Sequence, residues 1–240
     1  MAHWQISVSL SLCVQFVILT ASQNAYLNNI LLPPTYICNM KKRMAEILQQ
    51  EAAAIAAIPL NDAIPEAVGI IYQRVHEKGG KLILTGMGKA GQVGHNMATT
   101  FCSTGTPAIF LHPSEAQHGD LGIIQKNDVL LLISNSGKTR EIVELTELTE
   151  QMIPGIPRIV LTGNLDSELA RCGATVIHTG GPKEVCPLGL TPTTSTTVMT
   201  VIGDMLTVLL MEKIKFTAEA YAQRHHSGYL NAKARKQIDS

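Results

Sequence analysis

Two hydroxyl-rich segments have the residue types that bind a phosphorylated substrate. Ser134, Asn135, Ser136 and Thr139 bring hydroxyl and amide groups to the predicted start of a helix. Backbone N–H groups and the helix dipole make such a segment an anion site, although Ser136 or Thr139 could instead simply cap the helix. Residues 191–197 form a second hydroxyl-rich helix start, which could close on the same ligand or be an ordinary capped turn.

Groups that could move a proton lie near these segments. Glu141 falls in the first turn after the phosphate loop, and Glu184 lies in a loop rich in proline and glycine at residues 181–189. Loops of that kind often carry ligand-binding side chains, whereas an exposed glutamate is usually only solvated surface. His225 and His226 are adjacent near a predicted helix end, where such pairs are more often surface residues. Together these groups suggest proton-transfer chemistry on a sugar phosphate.

Two nucleotide-binding motifs are incomplete. Residues 86–91 have the glycine spacing of the dinucleotide fingerprint, but the acid expected about 20 positions later is missing. The first acid there, Glu115, follows a proline. Residues 137–139 resemble the end of a Walker A loop, but Leu132 stands where that loop needs a glycine. We therefore interpret residues 86–91 as a tight strand–helix turn and expect neither NAD nor ATP.

The elements that must position these groups alternate along the chain. The predicted strands are residues 81–85, 108–111, 129–134, 158–162 and 175–178. The predicted helices are residues 41–58, 61–78, 90–103, 139–152, 167–172, 194–213 and 217–224. Alternation of this kind indicates right-handed crossovers. It predicts an α/β fold, a three-layer αβα sandwich with a five-stranded parallel sheet of the flavodoxin-like or Rossmann-like kind. Its ligands bind beyond the carboxyl ends of the strands, where the polar segments fall.

Charge is distributed unevenly along the 240 residues. Residues 1–39 contain no Lys, Arg, Asp or Glu, and all 38 charges follow from Met40 onward. Residues 6–21 are mostly apolar, but a membrane span needs roughly 20 residues, and the cationic start of a signal peptide is missing. A dispensable or wrongly assigned extension, a weak signal or anchor, and an ordered extra segment all remain open. We favour the first, with a single domain over residues 40–240 and its core at about 80–215.

Composition excludes some functions. The 19 basic and 19 acidic residues balance, which argues against a nucleic-acid partner held by a basic surface. A hydrophobic fraction of 45% argues against disorder. The five cysteines form no C-x-x-C pair, which is typical of reduced thiols in a cytoplasmic protein.

The ordered set of segments resembles the sugar isomerase (SIS) domain family, of the D-arabinose-5-phosphate isomerase type. The matching stretches are residues 85–91, 103–107, 112–122, 134–137, 184–190, 192–197 and 216–219. The resemblance implies reversible isomerisation of D-ribulose 5-phosphate and D-arabinose 5-phosphate through a cis-enediol, supplying synthesis of the acid sugar Kdo for lipopolysaccharide or capsule. A non-catalytic sugar-phosphate sensor and an SIS isomerase of another sugar phosphate are the alternatives.

The resemblance also implies roles for individual residues. The family's catalytic positions match Lys89, Glu141, Glu184 and His225. Glu184 would be the base with Glu141 in support, Lys89 would stabilise the enediolate oxygen, and His225 would assist ring opening, in some cases for a neighbouring subunit. A carboxylate in a partly dry pocket can have a pKa suited to the proton transfer.

Binding residues and partners follow from the loops and the resemblance together. The expected substrate-binding residues are Gly88, Gly105, Thr106, His118, Ser134, Asn135, Ser136, Thr139, Thr194 and Ser195. His112 matches a histidine associated with inhibitory divalent metal. No cofactor is expected, zinc included, because no cluster has the spacing of metal ligands. We expect a cytoplasmic homo-oligomer, a tetramer by preference, with active sites at subunit contacts and no membrane partner. The 240 residues contain no CBS modules, which many relatives carry.

Overall fold

The computed structural model describes residues 34–238, and the chain divides into two compact units, Met1–Gln49 and Gln50–Ser240. Helix α1, Pro34–Ala56, begins seven residues earlier than the predicted start at residue 41, so Met40 lies inside a helix. The predicted helix start is therefore wrong, because the uncharged turn before Met40 is as helical as the charged turn after it. The apolar run at residues 6–21 lies outside the described residues. The boundary of the domain at Met40 stays a prediction.

The second unit contains a five-stranded parallel sheet. Its strands are β1 (Leu82–Gly86), β2 (Ala108–Phe110), β3 (Val129–Ile133), β4 (Arg158–Thr162) and β5 (Thr175–His178). Their order across the sheet is β2-β1-β3-β4-β5, and every neighbouring pair is parallel. This is the flavodoxin-like order, in which the chain changes direction between β1 and β3. The predicted fold class is confirmed.

Helices connect the strands and extend beyond the last one. They are α2 (Ala63–Ile71), α3 (Gly88–Ser103), α4 (Pro113–Ala116), α5 (Arg140–Met152), α6 (Glu168–Cys172), α7 (Thr194–Lys213), α8 (Ala218–Arg224) and α9 (Gly228–Ile238). Where one long helix is predicted over residues 61–78, α2 gives way to a π-helical turn at Tyr72–Glu77. Helix α9 was not predicted, because only Asn231 and Ala234 of its side chains are buried and no apolar periodicity marks it.

The sheet is buried on both faces. Alternate strand residues point to opposite sides, so Leu82 and Leu131 belong to one hydrophobic cluster and Ile83 and Leu130 to the other. The first cluster includes residues of α2, α3 and α7, and the second includes residues of α4, α5 and α6. The strands therefore read as continuous apolar runs, as parallel strands covered by helices do.

Helix α7 forms part of the first layer and starts beside the site. Among the described residues it alone is long and apolar enough to cross a membrane by length and composition, and half of its most apolar stretch is buried inside the protein. Val198, Ile202 and Leu206 are fully buried in the first cluster. Burial of this kind is what the core helix of a layered α/β protein requires.

Candidate active site

A cavity of about 360 Å³ opens at the carboxyl edge of the sheet, next to the ends of β1 and β3. Ligands of open α/β sheets bind at this point, where the strand order reverses. The cavity brings together seven residues predicted from the sequence: Lys89, Ser134, Asn135, Ser136, Thr139, Glu184 and Ser195. Three segments distant in the sequence therefore meet at one place because their strands are parallel.

The loop between β3 and α5 has the polar groups of a candidate anion site. Thr139 is the N-cap residue of α5, but its side chain makes no capping hydrogen bond. Its hydroxyl lies 2.8 Å from the hydroxyl of Ser134, and the Gly137 N–H donates to Ser134 Oγ over 3.1 Å. The Ser136 hydroxyl accepts from the Lys138 N–H rather than from the helix. The alternative in which Ser136 or Thr139 caps α5 is therefore wrong, and the helix N-terminus faces the cavity with its positive dipole end.

Neighbouring backbone holds this loop in place. The Gly163 N–H donates to the Asn135 carbonyl over 3.0 Å, and the Asn164 side chain donates to the Ser136 carbonyl over 3.2 Å. Gly137 has a φ of +63°, and a Cβ there would overlap the Ser167 side chain. Only glycine fits such a position without strain. The loop after β4 therefore packs closely against the candidate anion site.

Lys89 is the cation that lines the cavity. It lies in the first turn of α3, directly after β1, and its side chain is exposed. A positive charge at a helix N-terminus works against the helix dipole. Its placement therefore costs stability and raises the positive potential of the cavity. Gly91, two residues later, confirms the tight strand–helix turn, because a Cβ there would lie 2.5 Å from the Gly86 carbonyl oxygen.

Glu184 is held by the start of α7. Its Oε2 accepts hydrogen bonds from the Thr193 N–H (2.7 Å), the Thr193 hydroxyl (2.9 Å) and the Ser195 N–H (3.3 Å). These bonds satisfy donors at the helix N-terminus that have no partner within the helix. These three hydrogen bonds all reach the same carboxylate oxygen.

Burial and hydrogen bonds act on the pKa of Glu184 in opposite directions. Partial burial raises its pKa, but the bonds from Ser195 and Thr193 outweigh burial and hold the pKa of Glu184 below its ordinary value. Hydrogen bonds to the charged form favour the carboxylate. That the pKa of Glu184 suits the proton transfer stays a prediction.

Several predicted residues lie near the cavity without lining it. Glu141 is half-buried in the first turn of α5. Gly88 and His112 line a neighbouring cavity of about 310 Å³, which His95 also lines. Two imidazoles there fall short of the three or four ligands of a zinc site, and the part of the chain that the structure describes contains no group of three or more potential metal ligands. A role of His112 in metal inhibition stays a prediction.

Thr194 lies behind the cavity wall. Its side chain is 1% exposed, and its hydroxyl lies 2.9 Å from Glu51 Oε1. The Val185 N–H donates to the same hydroxyl over 3.2 Å. Thr194 is therefore occupied with contacts inside the protein, in contrast to the neighbouring Ser195.

Four predicted residues lie away from the cavity in the single chain. Gly105 and Thr106 precede β2, at the amino edge of the sheet, and Thr106 lies 3.2 Å from the half-buried His76. Burial lowers the pKa of His76. His118 is exposed after α4. His225 ends α8, stacks on Tyr221 and pairs its Nδ1 with the Tyr221 carbonyl.

Some cavity residues were not predicted. They are Met87, Ala90, Ile133, Gly189, Leu190, Pro192, Thr196 and Met199. Thr196 belongs to the hydroxyl-rich run already noted, so its signal was present in the sequence. The apolar members give no local signal, because their exposure to the cavity depends on how α7 meets the sheet.

Comparison with known proteins identifies the family. The SIS domain profile matches residues 76–209, more than half of the chain. The chain belongs to the SIS domain family. The cavity of this SIS domain lies inside the matched segment, and the predicted resemblance is confirmed.

Curated relatives share about half of their length with this SIS domain. Arabinose 5-phosphate isomerase KdsD of Pseudomonas aeruginosa is 48% identical over 151 residues, 63% of this chain and 46% of the relative. The protein of the same name from Salmonella typhi is 41% identical over 188 residues, 78% of this chain and 56% of the relative. The chain thus spans about half the length of these proteins.

Two solved structures match this chain over nearly their own whole length. A Bacteroides fragilis protein, a candidate phosphosugar isomerase involved in capsule formation, is 61% identical with a TM-score of 0.78, over 79% of this chain and 99% of that chain. An Escherichia coli CFT073 protein in complex with arabinose 5-phosphate is 32% identical with a TM-score of 0.73, over 81% of this chain and 100% of that chain.

Proposed function

We propose that this SIS domain is an aldose–ketose isomerase that interconverts D-ribulose 5-phosphate and D-arabinose 5-phosphate. The observation that carries the proposal is the cavity that joins the loop at residues 134–139 to Lys89 and Glu184. The names of the curated relatives and the arabinose 5-phosphate complex of a similar protein support the choice of substrate. The reaction moves hydrogen only within the substrate, so no cofactor is required.

Two helix N-termini at the cavity orient the substrate. The start of α7 is already occupied, because Glu184 Oε2 accepts from Thr193 and Ser195. The start of α5 has no side-chain cap. A phosphate therefore binds at α5, where N–H groups and hydroxyls favour it, and the carbonyl end of the sugar extends toward Glu184 and Lys89.

The chemistry then follows from the groups at that end. The Glu184 carboxylate accepts a proton from one of the carbons C1 and C2 and returns it to the other through a cis-enediol, while the hydroxyl proton moves between O1 and O2. Lys89 stabilises the negative oxygen that develops, since a cation that lines the cavity attracts such charge. Glu141 supports the base, and His225 assists ring opening of the aldose.

The working form is a homo-oligomer, with a tetramer as the preferred state. Gly105, Thr106, His118 and His225 lie outside the cavity of the single chain, and a neighbouring copy would supply such groups. We also propose a cytoplasmic enzyme whose product supplies Kdo synthesis. The similarity to a protein involved in capsule formation supports use in a surface polysaccharide.

The purified chain incubated with D-ribulose 5-phosphate tests the proposal. Formation of D-arabinose 5-phosphate, followed by NMR in D₂O, is the expected result. Glu184→Gln should lower kcat by at least about 10²-fold, the smallest usual contribution of a general base. The exposed Glu147 of α5 provides the matched control, Glu147→Gln, with unchanged kcat. A chain that binds the sugar phosphate without converting it would be a sensor, and the proposal would be wrong.

A further inference from the structure

We propose that Glu51 is a positioning residue for Glu184, acting through Thr194. This inference rests on the proposed function, because it assigns the support of the proposed base. Glu51 lies in α1 and does not line the cavity. Its Oε1 accepts the hydrogen bond of the Thr194 hydroxyl over 2.9 Å.

Because of the directions of its hydrogen bonds, the Thr194 hydroxyl needs Glu51 as its acceptor. The Val185 N–H can only donate, so the Thr194 oxygen that it meets at 3.2 Å acts as acceptor. The single hydroxyl proton of Thr194 is then directed to Glu51, which as a carboxylate can only accept. Thr194 is 1% exposed, so no bulk water can replace the carboxylate. Removal of Glu51 would leave a buried hydroxyl without its acceptor, which is unfavourable.

The same contacts fix Glu184 from two sides. Val185 follows Glu184 directly, and its N–H is bound by Thr194. Thr193 and Ser195, the two neighbours of Thr194, donate to the Glu184 carboxylate. Thr194 thus holds the backbone of the loop while its neighbours hold the side chain. A shift of Thr194 would move both the carboxylate and the loop that carries it.

Stability alone does not explain a carboxylate at this position. The second oxygen of Glu51, Oε2, is buried and has no hydrogen-bond partner among the described residues. A buried carboxylate oxygen without a partner is costly. The residue therefore carries a folding cost while holding Thr194, which is the pattern of a group that serves the site.

The test compares an acceptor-keeping variant with an acceptor-free one. Glu51→Gln retains an oxygen for the Thr194 hydroxyl, whereas Glu51→Met retains the length and removes the acceptor. Glu66→Met is the matched control, because Glu66 also accepts from a threonine hydroxyl, that of Thr175 over 3.4 Å, away from the cavity. Thr194→Val removes the hydroxyl itself and serves if Glu51→Met fails to fold.

The kinetic readout separates positioning from folding. Glu51→Met should lower kcat about 10- to 100-fold, as misplacement of a reacting group does, with KM within about two-fold because the phosphate loop is untouched. Glu51→Gln and Glu66→Met should keep the parental kcat. Combining Glu51→Met with Thr194→Val should cause no further loss, because both remove one interaction. An unchanged kcat in Glu51→Met, or an equal loss in Glu51→Gln, would overturn the proposal.

A second readout is independent of turnover. Amide hydrogen exchange of Val185 should accelerate in Glu51→Met and Thr194→Val and remain parental in Glu51→Gln and Glu66→Met. An inactive parent with this exchange pattern would refute the isomerase and retain the positioning contact. An active parent whose Val185 exchange is unchanged in Glu51→Met would refute the positioning contact alone.

Discussion

The variant Gly137→Ala tests whether the shape of the loop at residues 134–139 requires a glycine at position 137. Gly137 has a φ of +63°, and an added Cβ would overlap the Ser167 side chain and lie 3.1 Å from Thr162 Oγ1. An alanine in the left-handed region costs about 1–2 kcal/mol, and overpacking costs about 1–3 kcal/mol. Alanine also makes the unfolded chain less flexible than glycine does, which offsets about 0.4–1 kcal/mol of these costs. We expect the free energy of unfolding to fall by about 2–4 kcal/mol.

Urea denaturation of parent and variant measures this loss, and Ser167→Gly tests its cause. The second change removes the two Ser167 atoms that an alanine at 137 would overlap, and the contact with Thr162 Oγ1 remains. It also removes the cap that accepts from the Ala170 N–H, for which a glycine costs only a few tenths of a kcal/mol. The double variant should therefore recover about 1–3 kcal/mol relative to Gly137→Ala. Full parental stability of Gly137→Ala, or no recovery in the double variant, would refute the assignment of a steric limit at Ser167.

Three further predictions concern charged groups. Hydrogen bonds hold the pKa of Glu184 below its ordinary value. The carboxylate of Glu184 therefore stabilises the fold above the unfolded pKa of about 4.5, and this stabilisation is lost as the pH falls through the folded pKa. Urea denaturation at a series of pH values should show that Glu184→Gln matches the parent in stability only at the acid end. Asp128→Ala should lower the free energy of unfolding by about 3–5 kcal/mol, because the buried carboxylate binds the Lys81 ammonium at 2.7 Å. The variant should keep the parental kcat, since this ion pair lies at the amino edge of the sheet. A parental midpoint in urea would contradict the prediction. Lys89→Met should lower kcat about 10²-fold. Its thermal midpoint should equal or exceed that of the parent, since the lysine opposes the helix dipole. A parallel loss of stability and activity would show a structural role instead.

The sheet was predictable because its strands have sharp boundaries. The prediction for β4, Arg158–Thr162, matches the structure, and so does that for the core helix α7, Thr194–Lys213. A proline or a cluster of hydroxyl residues precedes each of them, which marks where the element can begin. The start of α1 at Pro34 was not predictable in the same way, since charge changes at Met40 while helical preference does not.

The site was predictable only where strand ends decide it. Lys89, the loop at residues 134–139 and Glu184 each follow a strand of one parallel sheet, so topology alone brings them together. Glu51 gave no sequence signal, because its contact with Thr194 depends on how the last turns of α1 lie against the start of α7. His225 follows α8 and lies away from the cavity of the single chain, because no strand end fixes its position.

In the proposed mechanism, catalysis and folding use the same hydrogen bonds at the start of α7. The donors of Thr193 and Ser195 need partners whether or not a substrate is present, and Glu184 supplies them. The helix that they begin is anchored by Val198, Ile202 and Leu206, which are fully buried on the sheet. A base bound to such a helix shares the rigidity of the core, which is what precise proton transfer requires. Loosening of the loop at residues 181–189 therefore need not displace the carboxylate, as long as Thr193 and Ser195 keep their contacts with it.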